Sequence, residues 1–189
     1  MNGSGRIRVI GGNLRNSRLE VPDLPGLRPT SDRVRETLFN WLQPVISGAR
    51  CLDLYAGTGA LGIEALSRGA GMVTFVEREP KLVAALKANL ARLKAEARVV
   101  ADDAARWLKA GGKPFDVVFM DPPFADDAWA EAALRLEEAG WLAADAWIYV
   151  ESPRGASFDL PANWLPHRQG QAGEVAYALY RRTPADPLS

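Results

Sequence analysis

The sequence holds one cysteine, one histidine and no long apolar run. A single cysteine cannot form an internal disulfide, so we expect a protein from a reducing compartment. Cys51 lies in a predicted buried strand, so we expect it to be a core residue. His167 stands alone near the C-terminus, so we expect it to be structural and expect no metal. No run reaches the ~20 apolar residues of a membrane helix, and residues 1–5 lack an apolar signal core. We therefore expect a cytoplasmic protein without a membrane partner.

Neither sign of charge is in excess overall, since 23 basic residues balance 23 acidic ones. Residues 1–35 differ, because they hold seven arginines against three acidic residues, a net charge of +4. Arginine forks bind phosphate oxygens through paired hydrogen bonds and also stack on bases. This segment therefore favours a nucleic-acid partner over a merely solvated surface. The arginines are Arg6, Arg8, Arg15, Arg18, Arg28, Arg33 and Arg35.

The N-terminal part of the chain predicts a small appendage on one large α/β domain. Residues 6–10 and 14–19 alternate in polarity around a Gly-Gly-Asn turn, which is typical of a β-hairpin. Prolines then make residues 20–29 a linker or an ordered extended arm. We therefore divide the chain into an arginine-rich hairpin and arm, residues 1–30, and a main domain, residues 31–189.

The main domain alternates strands and helices, the pattern of a doubly wound parallel sheet. Its first helix should begin near Ser31 and end near Leu42 or Gln43, before Pro44. The last two strands are separated by five residues, too few for a crossover, and predict an antiparallel hairpin. The predicted strands are 50–54, 72–76, 98–101, 115–120, 146–150, 164–169 and 175–182, with helices from 60, at 80–95, from 104 and at 126–138.

The stretch Asp121-Pro122-Pro123-Phe124 follows an apolar strand, at the sheet edge where open α/β folds bind ligands. Asp121 and the Pro122 carbonyl can accept the N–H groups of an exocyclic amine, and Phe124 can stack on a flat base. An alternative is ordinary packing, because Asp-Pro also starts turns and Phe also fills cores. These four residues alone leave both interpretations open.

A second motif, G-x-G-x-x-G at residues 57–62, follows the first strand and opens a helix. Glu77 comes 20 residues after the first glycine, where it can hold both hydroxyls of a ribose. The motif is compatible with a site for NAD, with a site for S-adenosylmethionine, and with a glycine turn that serves only packing. Asp53 favours adenosylmethionine, because its carboxylate would repel a pyrophosphate but attract a cationic amino group and sulfonium. The expected cofactor contacts are Asp53, Tyr55, Ala56, Gly57, Thr58, Gly59 and Glu77.

Two acidic residues follow the third strand, where an adenine amino group is expected to lie. Asp103 is the first candidate for that contact, because Ala104 would then offer its backbone N–H to the ring. Asp102 is the alternative, and it could instead cap the following helix.

Together these residues resemble the RsmD-type methyltransferases, which methylate guanine N2 in 16S ribosomal RNA. The resemblance spans almost the whole chain, and residues 28–42, RPTSDRVRETLFNWL, are its most specific part. The glycine loop and the Asp-Pro-Pro-Phe motif are shared by many amino-directed methyltransferases. Tyr55 departs mildly, since many members have Phe there. The resemblance implies a Rossmann-like class I methyltransferase fold over residues 31–189, adenosylmethionine as cofactor, and 16S ribosomal RNA as substrate, within the small subunit or an assembly intermediate. We expect a monomer.

The implied chemistry assigns Asp121, Pro122, Pro123 and Phe124 to the acceptor guanine. Arg28, Thr30, Arg33 and Arg35 are expected to hold RNA phosphates across the cleft, and Arg6, Arg8, Arg15 and Arg18 to extend that contact. Three alternatives stay open at this point: an adenine-N6 methyltransferase acting on DNA or RNA, an NAD-dependent oxidoreductase, and an RNA-binding assembly factor without activity.

Overall fold

The computed structural model describes residues 5–184. The strands are β1 Gly5–Arg8, β2 Arg18–Val21, β3 Arg50–Asp53, β4 Met72–Glu77, β5 Arg98–Ala101, β6 Phe115–Met120, β7 Leu142–Pro153, β8 Trp164–Ala172 and β9 Val175–Arg182. The helices are α1 Asp32–Ile46, α2 Ala60–Ser67, α3 Pro80–Arg92, α4 Ala104–Lys109 and α5 Trp129–Glu138. Within these residues, no helix is long and apolar enough to cross a bilayer.

Seven strands form one sheet in the order β5-β4-β3-β6-β7-β9-β8. The first five of these pair in parallel, whereas β9 pairs antiparallel with both β7 and β8. β1 and β2 make a separate antiparallel hairpin. The predicted fold class is confirmed. The chain leaves β3 toward β4 on one side and returns at β6 on the other, so the carboxyl ends of these strands flank a crevice.

Both faces of the sheet are covered. On one face the N-terminal hairpin, α1 and α2 enclose a core that includes Cys51, which is fully buried as predicted. On the other face α4 and α5 pack over Leu52, Val118 and Ile148. His167 is exposed on β8, with its ring 4.8 Å from that of Trp147.

The predicted position of the second hairpin strand is wrong, because this strand is Arg18–Val21 rather than residues 14–19. Residues 11–14 bond to α2 instead of to a strand. The Leu14 N–H donates to Ser67 Oγ, and the Asn13 N–H to the Ser67 carbonyl. Gly12 has φ +80, and a Cβ there would lie 1.9 Å from that carbonyl oxygen, so this contact requires glycine.

The predicted end of α1 is wrong, because the helix continues through Pro44 to Ile46. A proline in the last turn removes only the hydrogen bond to the Asn40 carbonyl, and Asn40 is exposed to water. Ile46 is buried and stabilises the added turn. The start agrees with the sequence, since the Ser31 side chain accepts from the Val34 N–H at 3.3 Å.

Two further helices are shorter than predicted, and a left-handed residue lies beside each. Residues 124–126 form a 3₁₀ turn, Asp127 has φ 46, and α5 begins only at Trp129. α3 ends at Arg92, two residues before Lys94 with φ 55. Short-range turn chemistry therefore overrides the helical periodicity at both sites.

Candidate active site

A cavity of about 950 Å³ lies at the carboxyl ends of β3, β4 and β6. The glycine loop and Glu77 line one part of it, and residues 121–124 line another. Residues 24–30 of the arm form a wall. Of the predicted cofactor contacts only Gly59 is not in the lining. One cavity of ligand size thus brings together the two motifs found in the sequence.

The loop after β3 needs its glycines for two different reasons. Gly57 and Gly59 have φ +57 and +82, in the left-handed region that side chains disfavour. A Cβ on Gly59 would also lie 2.4 Å from Leu86 Cδ1. Thr58 Oγ1 accepts from the Ala60 N–H at 3.3 Å and helps to start α2. Gly59 therefore packs against Leu86 on the side of the loop away from the cavity, and it does not line the cavity.

Glu77 is held by the backbone at the end of β4. Its Oε1 accepts from the Gly57 N–H and its Oε2 from the Glu79 N–H, each at 2.8 Å. A carboxylate oxygen has two lone pairs, so each oxygen can still accept one hydroxyl. The carboxylate is fixed and open toward the cavity, which suits the two hydroxyls of a ribose.

Asp53 is a buried carboxyl with one free oxygen. Its Oδ2 accepts from the Gly62 N–H at 3.0 Å, and no described residue donates to Oδ1. Burial, with a further contribution from the Glu77 charge, raises the pKa of Asp53 to about 7. A cationic ligand group beside Oδ1 would favour the ionised form, so the site fits a positively charged amino group.

The two acidic residues after β5 differ in their hydrogen bonds. Asp103 caps α4 by accepting from the Arg106 N–H at 3.1 Å, so the helix cap is Asp103 and not Asp102, the alternative that the sequence left open. Asp102 accepts from the Asp103 N–H at 2.8 Å and pairs with Arg106. Both carboxylates and Ala104 line the cavity. The contact of Asp103 and Ala104 with adenine stays a prediction.

Asp121 follows β6, and no described residue donates a hydrogen bond to its carboxylate. Burial and the neighbouring Glu151 and Asp53 carboxylates raise its pKa well above the usual range, and the Arg28 charge opposes this only in part. The Pro122 carbonyl likewise accepts from no described residue. Two acceptors therefore remain available at the end of β6.

Phe124 borders the same part of the cavity. The Arg28 guanidinium carbon lies 4.2 Å from the centre of the Phe124 ring, a cation–π contact. The arm therefore covers one face of the ring that was predicted to stack on a base. An incoming base must use the other face or displace Arg28.

Glu151 is a site residue that the sequence analysis missed. It is 7% exposed, lines the cavity, and accepts from the Tyr149 hydroxyl at 2.7 Å. The predicted strand ended at Val150, three residues before the observed end at Pro153, which left Glu151 outside the site. In the structure Met120 pairs with Val150, so the next residues, Asp121 and Glu151, lie beside each other, a register that the sequence does not reveal.

The family described as "Conserved hypothetical protein 95" matches residues 7–181. Ribosomal RNA small subunit methyltransferase D from Escherichia coli is 54% identical over 182 residues, which cover 95% of this chain and 92% of that protein. The chain belongs to the RsmD-type methyltransferase family. The protein of that name from Haemophilus influenzae is 44% identical, with 95% and 96% covered. A solved E. coli structure, yhhF, described as a methyltransferase, has a TM-score of 0.88 at 52% identity and covers 95% of this chain and 99% of that one.

In this RsmD-family chain the predicted RNA contacts separate into two groups. Arg35 is 1% exposed and donates to the Arg8 carbonyl at 2.8 Å, while it pairs with Asp32 and Glu64. The prediction that Arg35 binds RNA is therefore wrong, because its donors are occupied inside the protein. Thr30 donates to Glu151 at 3.3 Å. The other arginines predicted to contact RNA are all exposed: Arg6, Arg8, Arg15, Arg18, Arg28 and Arg33.

Proposed function

We propose that this protein transfers a methyl group from S-adenosylmethionine to the N2 amine of a guanine in 16S ribosomal RNA. The observation that carries the proposal is the single cavity lined by Asp53, Glu77 and residues 121–124. The names of the E. coli and H. influenzae relatives support a small-subunit RNA as substrate. On this proposal the monomeric enzyme acts in the cytoplasm, on the small subunit or an assembly intermediate.

The cofactor end of the cavity suits adenosylmethionine by charge. Asp53 Oδ1 would accept from the α-amino group, and Glu77 would accept from the ribose hydroxyls. A pyrophosphate would meet two carboxylates here and be repelled, which disfavours NAD. When bound, adenosylmethionine supplies an electrophilic methyl group on a sulfonium.

The acceptor end would activate a weak nucleophile. Asp121 and the Pro122 carbonyl would accept the two N–H groups of N2 and leave its lone pair facing the methyl group. Such positioning can supply roughly 7–11 kcal/mol of the barrier. Asp121 would take the proton as the N–C bond forms and the C–S bond breaks. Stacking on Phe124, at ~1–3 kcal/mol, would offset part of the cost of removing the base from its stack.

The direct test is incubation of the protein with methyl-labelled adenosylmethionine and small subunits that lack the modification. The proposal predicts label in 16S RNA and N2-methylguanosine on nucleoside mass spectrometry. N6-methyladenosine would point to the competing adenine enzyme, and RNA without label would refute the proposal.

Replacing Arg15, Arg18 and Arg33 together with alanine should weaken RNA binding. Each lost phosphate contact should reduce the slope of log K against log salt by about 0.7–0.9. Filter binding at several salt concentrations measures both effects. The control replaces Lys109 and Lys113 with alanine. Both are exposed charges at the opposite end of the sheet, so their loss should change neither the RNA affinity nor its salt dependence. If the triple variant instead loses adenosylmethionine affinity, the arginines are structural.

The affinity for adenosylmethionine should depend on pH through Asp53. With its folded-state pKa near 7, binding a cation below that pH requires loss of a proton. Affinity should rise by up to about tenfold per pH unit below 7 and level off above it. Calorimetry in buffers of different ionisation enthalpy should detect the released proton, and Asp53→Asn should abolish both effects. Proton release that persists in Asp53→Asn would assign it to another group.

A further inference from the structure

Glu151 and Asp121 extend from neighbouring parallel strands at the same level of the sheet. The preceding residues Met120 and Val150 are paired, and adjacent strands lie about 4.8 Å apart. Both carboxyls line the cavity, and the Asp121 pKa responds to the Glu151 charge. The acceptor end of the cavity therefore holds two carboxyls side by side.

The two oxygens of Glu151 have different environments. The Tyr149 hydroxyl, at 2.7 Å, and the Thr30 hydroxyl, at 3.3 Å, both donate to Oε2. No described residue donates to Oε1, yet the described residues contain no fully enclosed side-chain oxygen or nitrogen without a partner. Oε1 must therefore be accessible from the cavity. The hydroxyls fix the carboxylate by one oxygen and leave the other as a free acceptor.

Guanine presents two kinds of donor on one edge, the N2 amine and the adjacent N1–H. We propose that Glu151 Oε1 accepts the guanine N1–H beside the N2 amine held by Asp121, which makes Glu151 a specificity-determining residue. This inference rests on the proposed function. Adenine and 2,6-diaminopurine have an unprotonated N1, so an ionised Glu151 would meet a second acceptor there.

Burial raises the pKa of Glu151, although its two hydroxyl partners and Arg28 oppose the shift. A protonated Glu151 could donate to an unprotonated N1 and would weaken the discrimination. The discrimination should therefore strengthen as the pH rises and Glu151 ionises, so both tests are run as a pH series within the range in which guanine N1 keeps its proton.

The first test uses the unaltered protein and RNA with 2,6-diaminopurine at the methylated position. This base keeps the reacting 2-amino group, lacks the N1–H that Glu151 would contact, and also carries an amino group in place of the guanine O6. We expect kcat/KM to be about 10- to 100-fold lower than for guanine, the usual cost of one mismatched base-edge contact. Equal rates for the two bases would overturn the inference, while absence of methylation on guanine would refute the proposed function instead.

The second test is Glu151→Gln, since an amide can present either an acceptor or a donor to N1. Its preference for guanine over diaminopurine should fall to nearly none, while adenosylmethionine binding by calorimetry stays intact. Glu131→Gln, an exposed carboxylate of α5 lining the same cavity, is the matched control and should keep the full preference. A preference unchanged in Glu151→Gln would refute the inference, and equal rates on the two bases in the unaltered protein would refute it even if the variant misfolds.

Discussion

Asp121→Ala should lower kcat/KM for methyl transfer by about 10²–10³-fold, the usual loss when one preorganised polar partner of the transition state is removed. Asp121 is the side chain at the end of β6 that is free of protein donors, so its acceptor capacity is available to the amine. Its raised pKa also makes it a stronger base than an exposed aspartate. Both properties disappear with the carboxylate.

Single-turnover methylation measures this loss, and calorimetry with adenosylmethionine should show little change in affinity. Asp126→Ala is the matched control. It removes a carboxylate two residues beyond the motif that pairs with the exposed Arg78, so activity should hardly change. Full activity in Asp121→Ala would sink the proposed mechanism, and a parallel loss in Asp126→Ala would indicate a disturbed loop instead.

Glu64→Ala should lower the free energy of unfolding by about 3–5 kcal/mol, because it removes the buried carboxylate partner of Arg35 and leaves only the exposed Asp32. Glu64 is fully buried and accepts from the Ile10 and Gly11 N–H groups, each at 2.9 Å. It also pairs with Arg35 at 3.4 Å and with Arg68 at 2.8 Å. Removing Glu64 leaves hydrogen-bond donors of the N-terminal hairpin, of α1 and of the residue after α2 without their acceptor.

Urea unfolding followed by circular dichroism measures the change. The exposed pair between Arg50 and Asp116 supplies the control, since Asp116→Ala should cost less than about 1 kcal/mol. If Glu64→Ala is no more destabilising than Asp116→Ala, the buried network contributes little to stability.

The sequence was sufficient where position follows from topology. Asp53, Glu77 and Asp121 each come at the end of a parallel strand, so their meeting at one edge was predictable. The burial of Arg35 was also predictable, because Arg35 lies three and four residues before the buried Leu38 and Phe39 on the same helical face. What hid its role is its partner Glu64, 29 residues away, which no local pattern indicates.

Other features depended on contacts between distant segments. β7 continues past Val150 because β9 pairs with it as far as Pro153, and this extension brings Glu151 into the site. The Arg28 contact with Phe124 depends on how the arm lies across the cleft. Neither pairing has a periodic signal in the sequence, so both needed the folded structure.

The anchoring of the N-terminal hairpin has a consequence for folding during synthesis. The Glu20 backbone bonds with Asn89, 69 residues later, and the Arg18 carbonyl accepts from Arg92, 74 residues later. At about 5–20 residues per second, the ribosome needs several seconds to make that interval. The hairpin can pair with itself early, but its apolar side must wait for α2 and α3 before it is covered. A segment translated first thus reaches its native contacts only after Arg92, about halfway along the chain, has been made.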